Sequence, residues 1–517
     1  MAKIVAAAVG VATNSSGVNV DALRRMGGVL LMTMRRASIV ALLVAAATGP
    51  LTPANAGIPS DPCTFDAPSA SVTLIPEGGF AQLHLVNGDE IWASGDPCDG
   101  ADTSTTDTIV VTAAPGDEVE ITLATGPFAP GKTPEGDASS EIEFVIGGGP
   151  LTLTITGSDD PDRISAGAIV EDAVFNLNAG EWAPDADVTI PRSDLIVADV
   201  RLGGRADTFS GAGVAEPGTD PFQGGALNVD GGPGGDVIHG GLEGAYAGDT
   251  AAVPPVHQDT FSLSWLPTEC QTIIVNGPGG TDSDIDCPDT DTTLDISFFE
   301  TMIGHGGEDW IFPAGWGEML YGRGGNDTLT PGVGDDVLVG GPGWDRIVTS
   351  PTGPVRVDLT NRRIIGESLD TYAGIEGIYI DSADDDRFVG QPGGSMTFIS
   401  GGGGGNVVNL STSVRRFEVH TVSSVFDGST IDPSEGLWVH GALVIGTPFD
   451  DHLLGQPGAF GRGRDEFRGG DGDDVLEGGG GPDSLRGGDG DDRIDGGPGT
   501  DVCSGGPGFD IVQGCEG

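Results

Sequence analysis

The sequence predicts an all-β chain: a parallel β-roll, or β-solenoid, built from nonapeptide repeats, with a β-rich N-terminal region. Three observations carry this. Residues 469–513 are five contiguous nine-residue units, GGDGDDVLE, GGGGPDSLR, GGDGDDRID, GGPGTDVCS and GGPGFDIVQ, of the form G-G-x-G-x-D-x-U-x with U apolar. Residues 304–348 are five more in one register, GHGGEDWIF, PAGWGEMLY, GRGGNDTLT, PGVGDDVLV and GGPGWDRIV. Elsewhere, short β-branched runs recur between Gly, Pro and Asp breaks, and no stretch shows convincing helical periodicity.

Each unit divides into a turn and a short strand. Glycines let the first six residues turn sharply. The last three continue as a strand whose alternation sends position eight to one face. In the C-terminal block that position holds Leu476, Leu485, Ile494, Cys503 and Val512; in the earlier block it holds Ile311, Leu320, Leu329, Leu338 and Ile347. Two units make one coil of a flattened spiral, so turns eighteen residues apart stack on one edge. Asp474, Asp492 and Asp510 then line one edge, and Asp483 and Asp501 the other.

Adjacent strands lie about 4.8 Å apart, which puts an ion centred between two turns about 2.4 Å from each layer. That is the calcium–oxygen range, and Asp carboxylates with turn carbonyls supply the oxygens calcium prefers. Magnesium demands a tighter octahedron, and the turns carry no soft ligand for zinc or copper. A disordered Gly/Asp tail would not need an apolar residue at position eight of every unit. The block carries 11 Asp/Glu against 2 Arg, so repulsion opposes folding until a cation enters. Metal binding and folding are therefore expected to be one event.

The block resembles the hemolysin-type (RTX) calcium-binding repeat, which forms a parallel β-roll. The resemblance implies that the six-position residues Asp474, Asp483, Asp492, Asp501 and Asp510 hold calcium, with acidic neighbours Asp471, Asp473, Asp489 and Asp491. In the earlier block it points to Asp309, Asp327, Asp336 and Asp345. Glu318 replaces Asp there and Trp316 takes a glycine position, so the adjoining site departs from the pattern. A complete isolated copy, GGPGGDVIH, adds Asp236.

In chain order, residues 1–56 read as a signal region. Arg35 and Arg36 precede the apolar run Ala37 to Ala47, and Ala54-Asn55-Ala56 offers cleavage before Gly57. The natural start is then Met32 or Met34. Residues 57–201 are β-rich, either a decayed solenoid or a sandwich, with the solenoid favoured. Residues 202–303 hold degenerate repeats and an insertion. Residues 304–348 are the first repeat block, 349–445 a connecting β segment with degenerate copies (Asp386 with Phe388, Asn406 with Val408), and 446–517 the second block with its C-terminal cap. Six cysteines fall into local pairs, Cys63/Cys98, Cys270/Cys287 and Cys503/Cys515, which suits disulfides in a secreted chain.

A formal charge of −55 disfavours nucleic acid and anionic membranes as partners. No segment after the signal is apolar enough to cross a bilayer, so the mature chain is expected to lack a transmembrane segment. There is no H-E-x-x-H and no G-x-S-x-G. The seven histidines are scattered and read as structural or exposed. Trp310, Trp316 and Trp344 read first as packing against the roll and second as a sugar-holding stack. The sequence thus points to a secreted, calcium-loaded solenoid with a non-catalytic binding, adhesive or surface-structural role, meeting extracellular polysaccharide or a cell-surface component. The alternative is a secreted polysaccharide-acting enzyme stabilised by the repeats.

Overall fold

The computed structural model describes residues 63–516 apart from 77, 127, 129–141, 178–185, 214–219, 223–224, 243, 249–258, 277–280, 288–289, 314–316, 394–395, 401–405, 415–417, 423–436, 441 and 456–463. The expected signal region and Trp316 lie outside the described residues. Every described element belongs to one unit, Pro59–Gly517, and is a β-strand.

In the C-terminal block the chain alternates between two sheets every nine residues. Val475–Glu477, Arg493–Asp495 and Ile511–Gln513 run parallel in one sheet, pairing Val475 with Arg493 and Arg493 with Ile511. Glu466–Asp471, Ser484–Asp489 and Val502–Ser504 run parallel in the other. Partners are eighteen residues apart because two nine-residue units close one coil. Phe467, Leu476, Leu485 and Ile494 are fully buried between the sheets. Cys503 is half-buried, and Val512, expected inward, is 44% exposed, since no described coil stacks beyond it.

The same two sheets run on through residues 63–201. Ser71–Leu74, Thr108–Thr112, Glu143–Gly147 and Val188–Pro191 stack in parallel in one. Phe80–Val86, Glu118–Thr122, Leu151–Thr156 and Leu195–Arg201 stack in the other. This region is therefore solenoid rather than a separate sandwich. Its coils are longer: Thr108 pairs with Glu143, thirty-five residues on. Val72, Leu83, Ile109, Ile121, Phe144 and Ile155 extend one continuous apolar core. At the start of the described residues Cys63–Asp66 pairs antiparallel with Ser71–Leu74, Glu90–Ala93 pairs antiparallel with Phe80–Val86 and with Asp96–Asp102, and a disulfide joins Cys63 to Cys98.

The insertion after residue 250 is a β-hairpin built into the sheet. Thr281–Cys287 and Thr290–Ser297 pair antiparallel, and the second strand then runs parallel to Gly244–Ala247. A disulfide from Cys270 to Cys287 ties the hairpin to the preceding strand, and a third joins Cys503 to Cys515.

Candidate metal centre

Position six of each repeat places its carboxylate inside the turn. Asp474, Asp483, Asp492 and Asp501 are at most 2% exposed. Stacking commits one oxygen of each: Oδ1 accepts the backbone N–H of the position-six residue one coil earlier. On one edge Asp451 donates to Asp474 at 2.8 Å, Asp474 to Asp492 at 2.9 Å and Asp492 to Asp510 at 3.1 Å. On the other, Asp465 donates to Asp483 at 2.8 Å, Asp483 to Asp501 at 2.9 Å and Asp501 to Glu516 Oε2 at 2.8 Å.

The other oxygen has no such partner. Oδ2 of Asp474, Asp483, Asp492 and Asp501, and of Asp327, Asp336 and Asp345 in the earlier block, is buried without a hydrogen bond. An unsatisfied buried acceptor costs roughly 1–3 kcal/mol, and more when charged. Burial accordingly pushes Asp474, Asp336 and Asp345 up to about 7 and Asp483 up to about 6, the amide bonds opposing the shift. Asp327 rises to about 8, through burial first and then through the nearby charges of Asp309 and Asp345. Burial also raises Asp492.

Backbone carbonyls complete the donor set. Gly488 and Gly490 adopt φ of +139° and +142°, and a Cβ on either would strike the carbonyl oxygen of Gly470 or Gly472 one coil earlier. Those carbonyls therefore aim along the stack at the next turn. Among the described residues no three His, Cys, Asp or Glu side chains converge as a metal cluster. A cation between two turns would draw on few carboxylates and mostly on carbonyls, which is the hard oxygen set calcium takes. The donors present fit that ion.

The remaining expected ligands sort by placement. Asp236 is buried, and its N–H donates to Asp259 Oδ1 at 2.9 Å. Asp309 is buried, but its own turn and a neighbouring strand satisfy it: Oδ2 accepts the His305 N–H at 2.7 Å, and Oδ1 meets His305 Nδ1 at 2.7 Å and the Thr272 hydroxyl. That commitment leaves Asp309 less open to a cation than its repeat position suggests. Asp473 and Asp491 are exposed and form an outer ladder, in which Asp491 N–H donates to Asp473 Oδ1 at 2.8 Å and Phe509 N–H to Asp491 Oδ1 at 2.8 Å. Asp471 and Asp489 face each other across paired strands, also exposed. Asp510 is half-buried at the last turn. Glu318 is buried, and its N–H donates to Asp336 Oδ1 at 2.7 Å, so the longer acid stays in the ladder.

The structure adds ladder members beyond the regular repeats. Asp162 donates to Asp207, Asp207 to Asp236 and Asp259 to Glu300, all within 2.7–2.8 Å. Asp336 donates to Asp370 at 3.1 Å, Asp345 to Glu376 at 2.9 Å and Asp386 to Asn406 at 2.9 Å. The decayed repeats keep an acid two residues before an inward apolar side chain, as in Asp207-Thr208-Phe209 and Asp259-Thr260-Phe261. That acid-x-apolar spacing is the signal that survives when the glycines are lost.

A family model described as the RTX calcium-binding nonapeptide repeat matches residues 320–350, 461–485 and 477–512, in four copies. These segments are a minority of the chain, and the ladder runs well beyond them. No curated protein matches the chain. Repeat match and stacked geometry agree: the chain is an all-β, calcium-binding β-roll protein carrying RTX nonapeptide repeats.

Proposed function

We propose that this protein is an extracellular solenoid whose C-terminal coils fold when calcium arrives, with a binding, adhesive or surface-structural role rather than catalysis. The observation that carries this is the row of buried, unpartnered Oδ2 atoms at Asp474, Asp483, Asp492 and Asp501. Without a cation these oxygens must be protonated or unsatisfied. With one they become ligands, together with the carbonyls of Gly470, Gly472, Gly488 and Gly490. The bound ion supplies charge neutralisation and nothing redox. Extracellular modules bind calcium with dissociation constants of about 10⁻⁴–10⁻³ M, far above cytosolic levels, so the chain would stay open inside and close outside.

Three disulfides support an oxidising compartment. The signal-like residues 35–56 support export with cleavage before Gly57. A binding role has a platform to use. On the outer face Trp310 is 42% exposed beside Phe312, and the Arg346 guanidinium lies 5.5 Å from the Trp310 ring and 6.0 Å from that of Tyr379. Calcium titration of the full chain, followed by circular dichroism and isothermal calorimetry, tests the reading. A rise in β signal with several bound ions is expected. An unchanged spectrum and no heat reject it.

A second reading, an enzyme acting on polysaccharide, rests on one cleft of about 430 Å³ on the outer face of the sheet. Asp199, Arg201, Asn228, Asp230 and Asp295 line it, and Asn228 donates to Asp199 at 2.6 Å. Turnover of a neutral or acidic polysaccharide, abolished by Asp230→Asn, would favour this reading. Retained binding without turnover favours the first.

A further inference from the structure

We infer that a divalent-cation site of the same construction lies between the turns Leu202–Asp207 and Gly231–Asp236, outside every segment matched to the repeat family. The inference rests on the calcium reading above and extends it to a turn whose sequence, L-G-G-R-A-D, breaks the glycine pattern at two positions.

The two places correspond donor by donor. In the C-terminal block the carbonyls of Gly470 and Gly472 lie under Gly488 and Gly490, and Asp474 N–H donates to Asp492 Oδ1. Here the carbonyls of Gly203 and Arg205 lie under Gly232 and Gly234, where a Cβ would strike them. Asp207 N–H donates to Asp236 Oδ1 at 2.8 Å. Asp207 is 1% exposed, and its Oδ2 is buried with no hydrogen-bond partner, as at Asp474. Arg205 takes the fourth, glycine-like position with φ of +95°, a conformation that side-chain-bearing residues rarely adopt. Its side chain folds outward, Nε donating to the Asp159 carbonyl at 2.8 Å. The backbone therefore keeps the turn of a true repeat although the side chain does not belong to one.

The ladder also shows where the site stops. One coil earlier, the Ser158 hydroxyl bonds Asp162 Oδ1 at 3.2 Å and Oδ2 at 3.1 Å, and the Ser158 amide donates to Oδ2. Asp162 is satisfied within its own turn and needs no ion. Asp207 is the first carboxylate of this edge that does.

Asn406 supplies the design of the test. It stands at position six of another coil and keeps the ladder bond, accepting the Asp386 N–H at 2.9 Å through Oδ1. Asp207→Asn should therefore preserve the stack while putting an amide donor where an oxygen ligand is needed. Calcium itself is the probe. Bound ions in the full chain are counted by equilibrium dialysis, and amide hydrogen exchange is followed by mass spectrometry with and without calcium. Wild type should gain protection at 202–210 and 231–239 on calcium addition. Asp207→Asn should bind at least one ion fewer and lose that gain, leaving 469–513 unchanged. Asp492→Asn should do the reverse.

An unchanged ion count in Asp207→Asn, with Asp492→Asn losing ions, overturns this site and leaves the calcium reading standing. No ions bound by wild type overturns both. Should Asp207→Asn fail to fold, the wild-type exchange decides: protection at 202–210 indifferent to calcium rejects the site.

Discussion

At position six of the C-terminal repeats each buried aspartate, Asp474, Asp483, Asp492 and Asp501, uses its two oxygens differently. Oδ1 accepts the amide of the coil before, and Oδ2 is left facing the turn. Asp492 sits between two turns and Asp510 at the last one, so Asp492 can serve two ions. Asp492→Asn should raise the calcium needed to fold the C-terminal block about tenfold or more, taking about 1.5–3 kcal/mol per charged contact. Asp510→Asn should have the smaller effect, and equal shifts in calorimetry would reject the stacked geometry. The raised carboxyls set a pH dependence. Asp474 at about 7 and Asp483 at about 6 hold protons that the unfolded chain, near 3.9, has released. The metal-free roll is therefore favoured below about pH 4 and loses that contribution as pH rises through about 7. Calcium-coupled folding starts from the open chain, whose carboxyls are already ionised at pH 6, so titrations there in buffers of different ionisation enthalpy should give equal heats; proton release would mean that calcium enters a roll already folded.

At the scale of the coil, stability comes from one apolar residue per strand and from glycines that let turns approach. Leu485 is fully buried between coils, so Leu485→Ala should cost about 2–5 kcal/mol in calcium-loaded denaturation. Val512→Ala should cost much less, since that side chain is 44% exposed. Gly488→Ala should be worse than its one methyl suggests. It meets a φ of +139° and the Gly470 carbonyl together, so the two turns must move apart and calcium affinity should fall along with stability. The same constraints explain which parts of the repeat tolerate change. Arg205 and Arg323 hold positive φ at glycine positions, whereas the inward apolar residue and, apart from Asn406, the acid recur in the repeats from Asp162-Arg163-Ile164 to Asp492-Arg493-Ile494.

Over the whole unit, each coil contacts only its neighbours, so order at an end depends on what holds that end. The start has antiparallel strands and the Cys63–Cys98 bridge; the C-terminal coil has Glu516 in the ladder and Cys503–Cys515, which closes a loop of 12 residues. A loop of that size is worth about 3 kcal/mol in chain entropy. Replacing both Cys503 and Cys515 by Ser should fray Ile511–Gln513 first, seen as faster amide exchange there, with residues 320–350 unchanged. Loss of protection everywhere at once would mean the coils fold as a single block.

The nine-residue period, read without a structure, determined the coil length, the inward residues Leu476, Leu485 and Ile494, and the pairing of Asp474 with Asp492. These follow from local rules, because strand alternation and glycine turns act within one unit. It left open whether residues 63–201 share the same two sheets, since coils of about twice the length carry no nonapeptide signal. Nor did it separate a satisfied acid from an unsatisfied one. Asp309 and Asp327 occupy the same repeat position, yet His305 and Thr272 quench the first and leave the second with a bare oxygen. Thr272 lies 37 residues from Asp309 and reaches it only when the coils stack. Whether a carboxylate is left with a bare oxygen depends on how the donors of its own turn and of the neighbouring coil settle around it, and only the tertiary structure decides that.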